Sequence, residues 1–321
     1  MSKPVLPREP FGPISRDDIP KGDEWGYQLK WDGVRALAIV DDGEVELYSK
    51  KLLRKDATYP EIVRTLRRLK GTFLLDGEIV YFDPVEQRPV FQKVLQRERT
   101  RTAAALARSS EEQPVCYVLF DLLHIGRDDI RYRSYSDRLA ALREAFPPGG
   151  DSALLVTDLF SDGETLWNWV EAHRWEGIVS KRLSAPYREG KNHQDAFKKR
   201  VIQRYDVTAV GVTIREGRAA SLVTVYDGAY FGRVSLGLNG RSRSALDAYA
   251  AAHRAEAMPF RALPADLKRE TVAWLARPFK LSVTGLEVTP DGLLRHPKLA
   301  DPPALERFLA AALESPGPTQ R

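Results

Sequence analysis

The sequence predicts an α+β protein, in which strands and helices mix through residues 25–200 before a region of short strands. Alternating apolar residues indicate strands at WGYQLKW, VRALAIV and EVELYSK. An amphipathic segment that opens on a serine cap, SDRLAALREAF, and a second one, SDGETLWNWVEAHRW, indicate helices. The regular strand–helix alternation of a doubly wound parallel sheet does not occur, so the class is α+β.

The remaining elements of the first region follow in order. Residues 1–24 are rich in proline and charge, and we expect them to be loosely attached. A helix at YPEIVRTLRRL and a strand at TFLLDGEIVYF come next. An amphipathic helix is expected over about 89–108, and its end, RTRTAAALARSSEEQ, is expected to be a flexible loop. VCYVLFDLLHI, SALLVTDLF and EGIVSKRL are predicted as strands.

The character of the chain changes near residue 204. Short alternating strands separated by glycine turns follow, as in RYDVTAVGVTIREG and LSVTGLEVTPDGLLRH, and a helical segment at about 243–256 interrupts them. This pattern suits a small β-barrel of OB type that carries one helix. We therefore predict two domains, 1–203 and 204–321.

Composition narrows the class of protein. With 321 residues, 43% hydrophobic and 29% charged, the chain is typical of globular proteins. No apolar run approaches eighteen residues and the N-terminus has no signal-peptide core, so we expect a cytoplasmic protein without a membrane partner. The single cysteine, Cys116, excludes a disulfide within the chain and a cysteine zinc site. The net charge of +5 permits a polyanionic partner.

Lys30 is the most informative residue. It lies in KWDGVR between two alternating segments, which indicates a strand, a tight turn at Asp32-Gly33 and a returning strand. A lysine at such a strand end can direct its amine into a cleft and act as a nucleophile. An ordinary hairpin with an exposed lysine fits the same pattern.

Four further motifs follow Lys30 in order. LLDGEIVYF places Glu78 after a predicted turn, YVLFDLL places Phe120 on a buried strand, and EGIVSKR places Glu176 before a β-rich run. In AFKKR, alternate residues Lys198 and Arg200 point the same way if the segment is extended. Taken singly, these are also compatible with a surface carboxylate, a core aromatic residue, a helix-terminal charge and a solvated basic patch.

Together and in this order, the five motifs resemble the covalent nucleotidyltransferase superfamily and, within it, the ATP-dependent DNA ligases. The closest likeness is to the ligase module of bacterial end-joining enzymes, strong over residues 25–200 and weak over 204–299. The resemblance implies a nucleotidyltransferase (ATP-grasp-like) adenylation domain with mixed and antiparallel sheets, followed by an OB-fold barrel. It also implies hinge motion near residues 200–206.

By this resemblance Lys30 attacks the α-phosphate of ATP and forms a lysyl-AMP. The AMP then passes to a DNA 5′-phosphate, and a 3′-hydroxyl seals the strand. The resemblance also implies that Arg35, with Ser49 and Lys50, contacts the ribose or the 5′-phosphate, that Phe120 stacks on adenine, and that Lys198 and Arg200 bind the AMP phosphate. Glu78 would bind the ribose or a metal ion, and Glu176 would bind the metal ion. The residues implied to contact DNA are Arg35, Lys50, Arg182, Lys191 and Arg204.

The resemblance also implies the cofactors and partners. ATP and Mg²⁺ or Mn²⁺ are expected as cofactors, and duplex DNA with nicks or breaks as the substrate, in DNA repair. ATP is favoured over NAD⁺ because the segment before Lys30 is too short for a nicotinamide-binding domain. We expect a monomer in the bacterial nucleoid, with other DNA-repair proteins as candidate partners.

Three departures from the family pattern stand out. KLLRKD follows YSK where these ligases usually show an Arg-Asn-Gly type sequence. The basic pair ends in Arg200 rather than lysine, and Ala196 replaces a leading aromatic residue. Near the C-terminus, relatives carry an Arg-x-Pro-type segment followed by an Arg-Asp-Lys cluster that orients pyrophosphate. This chain has Leu294-Arg295-His296-Pro297-Lys298-Leu299 and lacks the cluster; Arg295 and Lys298 are the candidates to substitute for it, so unaided self-adenylation is left open.

Other functions also remain open at this point. An RNA ligase would share the same motifs, although the OB-like region favours DNA. A degenerate, non-catalytic scaffold that binds DNA ends would explain the altered C-terminus, although intact Lys30, Glu78 and Glu176 speak against it. A capping-type guanylyltransferase would use GTP in place of ATP.

Overall fold

The computed structural model describes residues 3–147, 149, 151–191, 193–289 and 291–314. The chain divides into two compact units, Met1–Val201 and Ile202–Arg321. Both helices and strands build the first unit, so the predicted α+β class is confirmed. Among the described residues, no helix combines the length and apolar character needed to cross a membrane.

The strands of the first unit form two larger sheets and one short pair. Their bounds are β1 (Ile14–Ser15), β2 (Trp25–Leu29), β3 (Val34–Asp41), β4 (Glu44–Ser49), β5 (Thr72–Val80), β6 (Phe82–Asp83), β7 (Arg88–Pro89), β8 (Cys116–Ile125), β9 (Asp128–Asp129), β10 (Leu154–Val156), β11 (Gly177–Arg182) and β12 (Ala196–Arg200). One sheet has the order β1-β12-β11-β2 and the other β10-β8-β5-β3-β4, with β9 paired to β8. Only β1–β12 and β10–β8 are parallel among these described pairs.

The helices of the first unit are α1 (Pro60–Leu66), α2 (Phe91–Arg99), α3 (Ala103–Glu112), α4 (Tyr135–Ala145) and α5 (Gly163–Ala172). Side chains cap three of them: Thr102 accepts from the amide of Ala105 before α3, Ser134 accepts from that of Asp137 before α4, and Asp162 accepts from those of Glu164 and Thr165 before α5. These caps satisfy donors that the first helical turn leaves unpaired. The larger sheet supplies most of the main core, with Leu47, Leu75 and Leu119 fully buried.

The strands on either side of Lys30 do not form the predicted hairpin. β2 pairs with β11 in the first sheet, whereas β3 pairs with β4 and β5 in the second. The chain therefore crosses from one sheet to the other at residues 30–33. A side chain at Gly33 would place its Cβ 2.1 Å from the carbonyl oxygen of Ile79, so only glycine fits this close crossing.

Two further expectations for the first unit were wrong. The N-terminal segment is anchored, because β1 extends the first sheet and Leu6 and Phe11 pack in a buried cluster with Tyr187. The expected loop after α2 contains α3. It is fixed by the buried guanidinium of Arg97, which donates to the hydroxyl and carbonyl of Ser109.

The second unit is built on a curled antiparallel sheet of OB type, as predicted. Its order is β15-β14-β13-β16-β17, and the strands are β13 (Gln203–Arg215), β14 (Arg218–Tyr226), β15 (Ala229–Val234), β16 (Thr271–Gly285) and β17 (Lys298–Leu299). The predicted helix is present as α6 (Gly240–Ala252), and a helix that was not predicted, α7 (Pro302–Glu314), packs against it through the core residues Leu305 and Leu309.

Candidate active site

A cavity of about 500 Å³ lies in the first unit where the two sheets converge. Both sheets contribute to its wall. The predicted residues that line it are Lys30, Arg35, Glu78, Phe120, Lys198 and Arg200, with Ser49, Lys50 and Lys191. The EGIVSKR motif lines it through Val179 and Lys181, whereas Glu176 is not among the described lining residues and binds two of them, Lys30 and Arg200. The five motifs, distant in sequence, therefore meet in one pocket.

Lys30 is held at the crossing between the sheets. Its Nζ donates to Oε2 of Glu176 at 2.5 Å, and its backbone amide donates to the carbonyl of Gly177 at 2.9 Å. The second oxygen of Glu176 accepts from Nε of Arg200 at 2.9 Å. Because the Glu176 side chain is only 5% exposed, this carboxylate is a buried link between the amine and the guanidinium.

Gly177 explains how Glu176 comes so close to Lys30. Its φ is +153°, and a Cβ at this position would lie 2.0 Å from the carbonyl oxygen of Lys199. The absence of a side chain therefore lets β11 begin directly against β12. This close approach brings Glu176, Lys30 and Arg200 together.

Arg35 is fixed by a buried network. Its Nε and Nη2 donate to the two oxygens of Asp76 at 2.8 and 2.5 Å, and Asp76 also accepts from the hydroxyl of Tyr187 at 2.9 Å. The carbonyl of Phe11 accepts from Nη1 of Arg35. Asp76 is fully buried, and this bidentate geometry defines the plane of the guanidinium.

Glu78 lies within β5 rather than after a turn, directly across from Arg35 on β3. The turn expected at Asp76-Gly77 is absent because both residues pair with β3 and β8. Burial raises the pKa of Glu78 to about 8, against the attraction of Lys30. A divalent cation beside Glu78 would lower the pKa of this carboxyl group and favour its charged form. Glu78 therefore fits a metal ligand better than Glu176, whose two oxygens already accept hydrogen bonds from Lys30 and Arg200.

One wall of the pocket is strongly cationic. Burial first, and Arg200 next, lower the pKa of Lys198 to about 8; Lys191, Lys30 and Lys50 contribute further. Burial and Lys191 lower the pKa of Lys50 as well. Cations held this close together favour a ligand with several negative charges.

Sequence reasoning missed the far end of the pocket. Gln28 is 2% exposed, and its amide nitrogen makes no hydrogen bond to any residue that the structure describes. Lys181 lies 4.8 Å from the centre of the Phe120 ring, donates to the Phe120 carbonyl, and has its pKa lowered to about 8 by burial. Polar groups beside an aromatic ring suit a nucleobase.

Several predicted residues lie outside this cavity. Arg182 stacks over the ring of Trp25 and lies 3.8 Å from Asp195. Arg204 is exposed on β13 of the second unit. Arg295 is paired with Glu287, and Lys298 lies on β17.

Comparison with known proteins defines the class to which this fold and pocket belong. The family model "ATP dependent DNA ligase domain" matches residues 16–199, more than half of the chain. The chain therefore belongs to the family of ATP-dependent DNA ligase domains, and the resemblance stated from the motifs is confirmed.

Two curated relatives and a solved structure illustrate the similarity. DNA ligase C2 of Mycolicibacterium smegmatis is 32% identical over 237 residues, which cover 72% of this chain and 64% of the relative. The bifunctional non-homologous end joining protein LigD of Bacillus subtilis is 28% identical over 64% of this chain and 36% of its own. The chain thus spans less than two thirds of these relatives. The ligase domain of M. tuberculosis LigD is 25% identical with a TM-score of 0.51, covering 90% of this chain and 94% of that one.

Proposed function

We propose that this protein is an ATP-dependent DNA ligase that seals breaks between a 5′-phosphate and a 3′-hydroxyl through a covalent lysyl-AMP. One observation carries the proposal: Lys30 lies in a pocket that combines a cationic wall with an aromatic ring and buried polar groups. Transfer of a nucleotide to the protein requires a nucleophile close to the phosphate, cations that neutralise the phosphate charge, and a binding site for the base. The relatives named DNA ligases support DNA as the substrate.

In the first step, Nζ of Lys30 forms a bond to the α-phosphorus and the bond to the β-phosphate oxygen breaks. Pyrophosphate leaves with the electron pair, and the amine loses its proton. The nearest acceptor for this proton is Oε2 of Glu176, at 2.5 Å. Arg200 on the other oxygen keeps that carboxylate oriented.

The charge that develops on the α-phosphate is met by Lys198 and Arg200. Both lie on β12 two residues apart, so their side chains project from the same face of the sheet into the pocket. Fixed cations in a partly dry site stabilise such charge without reorganisation. Phe120 stacks on adenine, and Gln28 and Lys181 offer hydrogen bonds to its edge.

A divalent cation, Mg²⁺ or Mn²⁺, is proposed as the second cofactor. Mg²⁺ binds through one or two carboxylates and the phosphates of its substrate, and it supplies charge neutralisation to phosphoryl transfer. Glu78 is the carboxylate placed to hold it. Glu176 could join only by releasing Lys30 or Arg200.

We assign adenylation to residues 1–203 and closure on duplex DNA to the OB-type residues 204–321. Arg35 and Lys50 would contact the ribose or the 5′-phosphate, and Arg182 and Arg204 the DNA backbone. The match to an ATP-dependent DNA ligase domain and the end-joining relative from B. subtilis support a role in DNA break repair. We expect a monomer that acts with other repair proteins.

The direct test is incubation with α-labelled ATP and Mg²⁺ or Mn²⁺, followed by a denaturing gel, for the wild type and Lys30→Ala. We expect a labelled band with the wild type and none with the variant. Folding of the variant is checked by thermal unfolding. Sealing of a nicked duplex by Lys30→Ala in the presence of ATP would overturn the covalent mechanism.

Matched substrates then separate the remaining alternatives. Labelling by GTP rather than ATP would indicate a guanylyltransferase. Sealing of a nicked RNA but not of the same nick in DNA would indicate an RNA ligase. A wild type that neither labels nor seals a pre-adenylated nick, but binds DNA ends, would be a scaffold.

A further inference from the structure

The N-terminal segment forms a strap along one edge of the pocket. The amide of Gly190 donates to the carbonyl of Glu9 at 3.0 Å, and the amide of Gly12 donates to the carbonyl of Gly190 at 2.8 Å. Beyond these bonds, β1 pairs with β12. The strap, residues 9–15, therefore fixes the loop 188–191 and the strand that carries Lys198 to one another.

Lys191 is aligned by this strap. A Cβ built on Gly12 would lie 3.0 Å from Cγ and 3.2 Å from Cε of Lys191, so the lysine stem runs across the bare Cα of Gly12. Both residues line the pocket. Although the Lys191 side chain is exposed, its stem is thus directed along the strap toward the cavity.

The charge environment shows what Lys191 faces. Its ammonium is close enough to contribute to the lowered pKa of both Lys50 and Lys198, so three lysines converge at one end of the cavity. Such a convergence is costly unless an anion with more than one charge binds between the cations. A single phosphate held by Lys198 and Arg200 would leave Lys191 unused.

We propose that Lys191 is a further phosphate-positioning residue, which binds the β- and γ-phosphates of the nucleotide and orients the pyrophosphate that leaves when Lys30 attacks. This inference rests on the proposed adenylation. It differs from the DNA-binding role predicted from the sequence. A DNA 5′-phosphate would offer the same oxyanion chemistry, so the test must distinguish the two sources.

The test compares Lys191→Gln with Lys199→Gln, which removes the same charge from the neighbouring strand β12, from a side chain that lies over Trp167 outside the cavity. In Lys191→Gln we expect the ATP concentration that gives half the maximal rate of single-turnover adenylation, called the KM for ATP here, to rise about tenfold, as for loss of a charge-assisted contact. The pyrophosphate concentration that gives half the maximal rate of the reverse reaction should rise by the same factor. Lys191→Arg should recover most of the loss, and Lys199→Gln should match the wild type.

A second arm follows the sealing of a pre-adenylated nick, which uses no ATP. We expect Lys191→Gln to seal it within about twofold of the wild type. A defect confined to this arm would mean that Lys191 serves the DNA 5′-phosphate and would overturn the inference. Equal KM values for ATP in Lys191→Gln and Lys199→Gln would overturn it as well.

Gly12→Ala supplies an independent test that keeps every charge. The added methyl group should displace the Lys191 stem and raise the KM for ATP. In the Lys191→Gln background it should add little, because the two changes act through one contact. Additive effects would contradict positioning by the strap. A wild type that cannot be adenylated would instead refute the proposed function itself, an outcome distinct from any of these.

Discussion

Lys30 and Glu176, 146 residues apart in sequence, form a buried ion pair with Nζ and Oε2 separated by 2.5 Å. The pair joins the strand crossing to the start of β11 and holds Nζ of Lys30, the nucleophile that we propose, at the pocket. In the proposed attack it also gives the departing proton of the amine an acceptor. Structure and chemistry therefore depend on the same contact.

Glu176→Gln should weaken both the fold and adenylation. The change leaves Lys30 and Arg200 without their shared carboxylate, and breaking a buried pair costs about 3–5 kcal/mol. Because Arg200 is one third exposed, we expect the lower end of this range in urea unfolding. Glu86→Gln removes one partner of an exposed pair with Arg88 and should change stability by less than about 0.5 kcal/mol. Equal effects of the two changes would refute a buried link.

Adenylation should depend on pH through Lys198. Its pKa is lowered to about 8, so the side chain is charged below this pH and neutral above it. Phosphate binds the charged form, and the KM for ATP should therefore rise about tenfold between pH 7 and pH 9. Lys198→Arg keeps its charge over this range and should flatten the rise. Lys181 is unchanged in both proteins, so the ratio of their profiles isolates Lys198; parallel profiles would contradict its role.

Asp76→Asn should impair adenylation by releasing the guanidinium of Arg35. The substitution removes the charge that fixes the guanidinium, and we expect kcat/KM for adenylation to fall about 10- to 100-fold. Tyr187→Phe leaves the Arg35–Asp76 pair in place and removes one hydrogen bond to the Asp76 carboxylate and the acceptor of the Phe11 amide, and should cost about 1–3 kcal/mol of stability with a smaller kinetic effect. A larger kinetic loss in Tyr187→Phe than in Asp76→Asn would contradict this ranking.

Gly177→Ala should be among the most damaging small substitutions. Its Cβ would meet the Lys199 carbonyl at 2.0 Å in a backbone region that disfavours side chains, so the start of β11 must move. We expect a loss of about 3 kcal/mol or more and no detectable lysyl-AMP. Gly240→Ala meets no described atom within 4 Å and begins α6, so stability should stay the same or rise by up to about 1 kcal/mol. A stable, active Gly177→Ala protein would refute the steric argument.

The sequence motifs predict a shared site from charged or aromatic residues within a strand or directly beside one, and the structure brings the motifs to one pocket. The partners of those strands could not be predicted in the same way. Alternation with a period of two reveals which face of a strand is buried, but not which strand lies beside it. For this reason the sequence predicts a hairpin for β2 and β3, although the two strands belong to different sheets.

Local turn signals failed for a related reason. Asp76-Gly77 has the composition of a turn, yet pairing with strands on both sides overrides that preference. Gln28 and Lys181 were missed because each occupies an ordinary position in an apolar alternation. Their meeting with Phe120 depends on contacts between distant segments, which no local pattern contains.

The strap has a practical consequence for any shortened version of this protein. The family match begins at residue 16, so a chain trimmed to that boundary would lose β1 together with Phe11 and Gly12. Such a protein would retain every motif and still lack one wall of its nucleotide pocket. Weak activity of the trimmed protein would then result from the loss of these pocket residues and not from a defect in the catalytic residues.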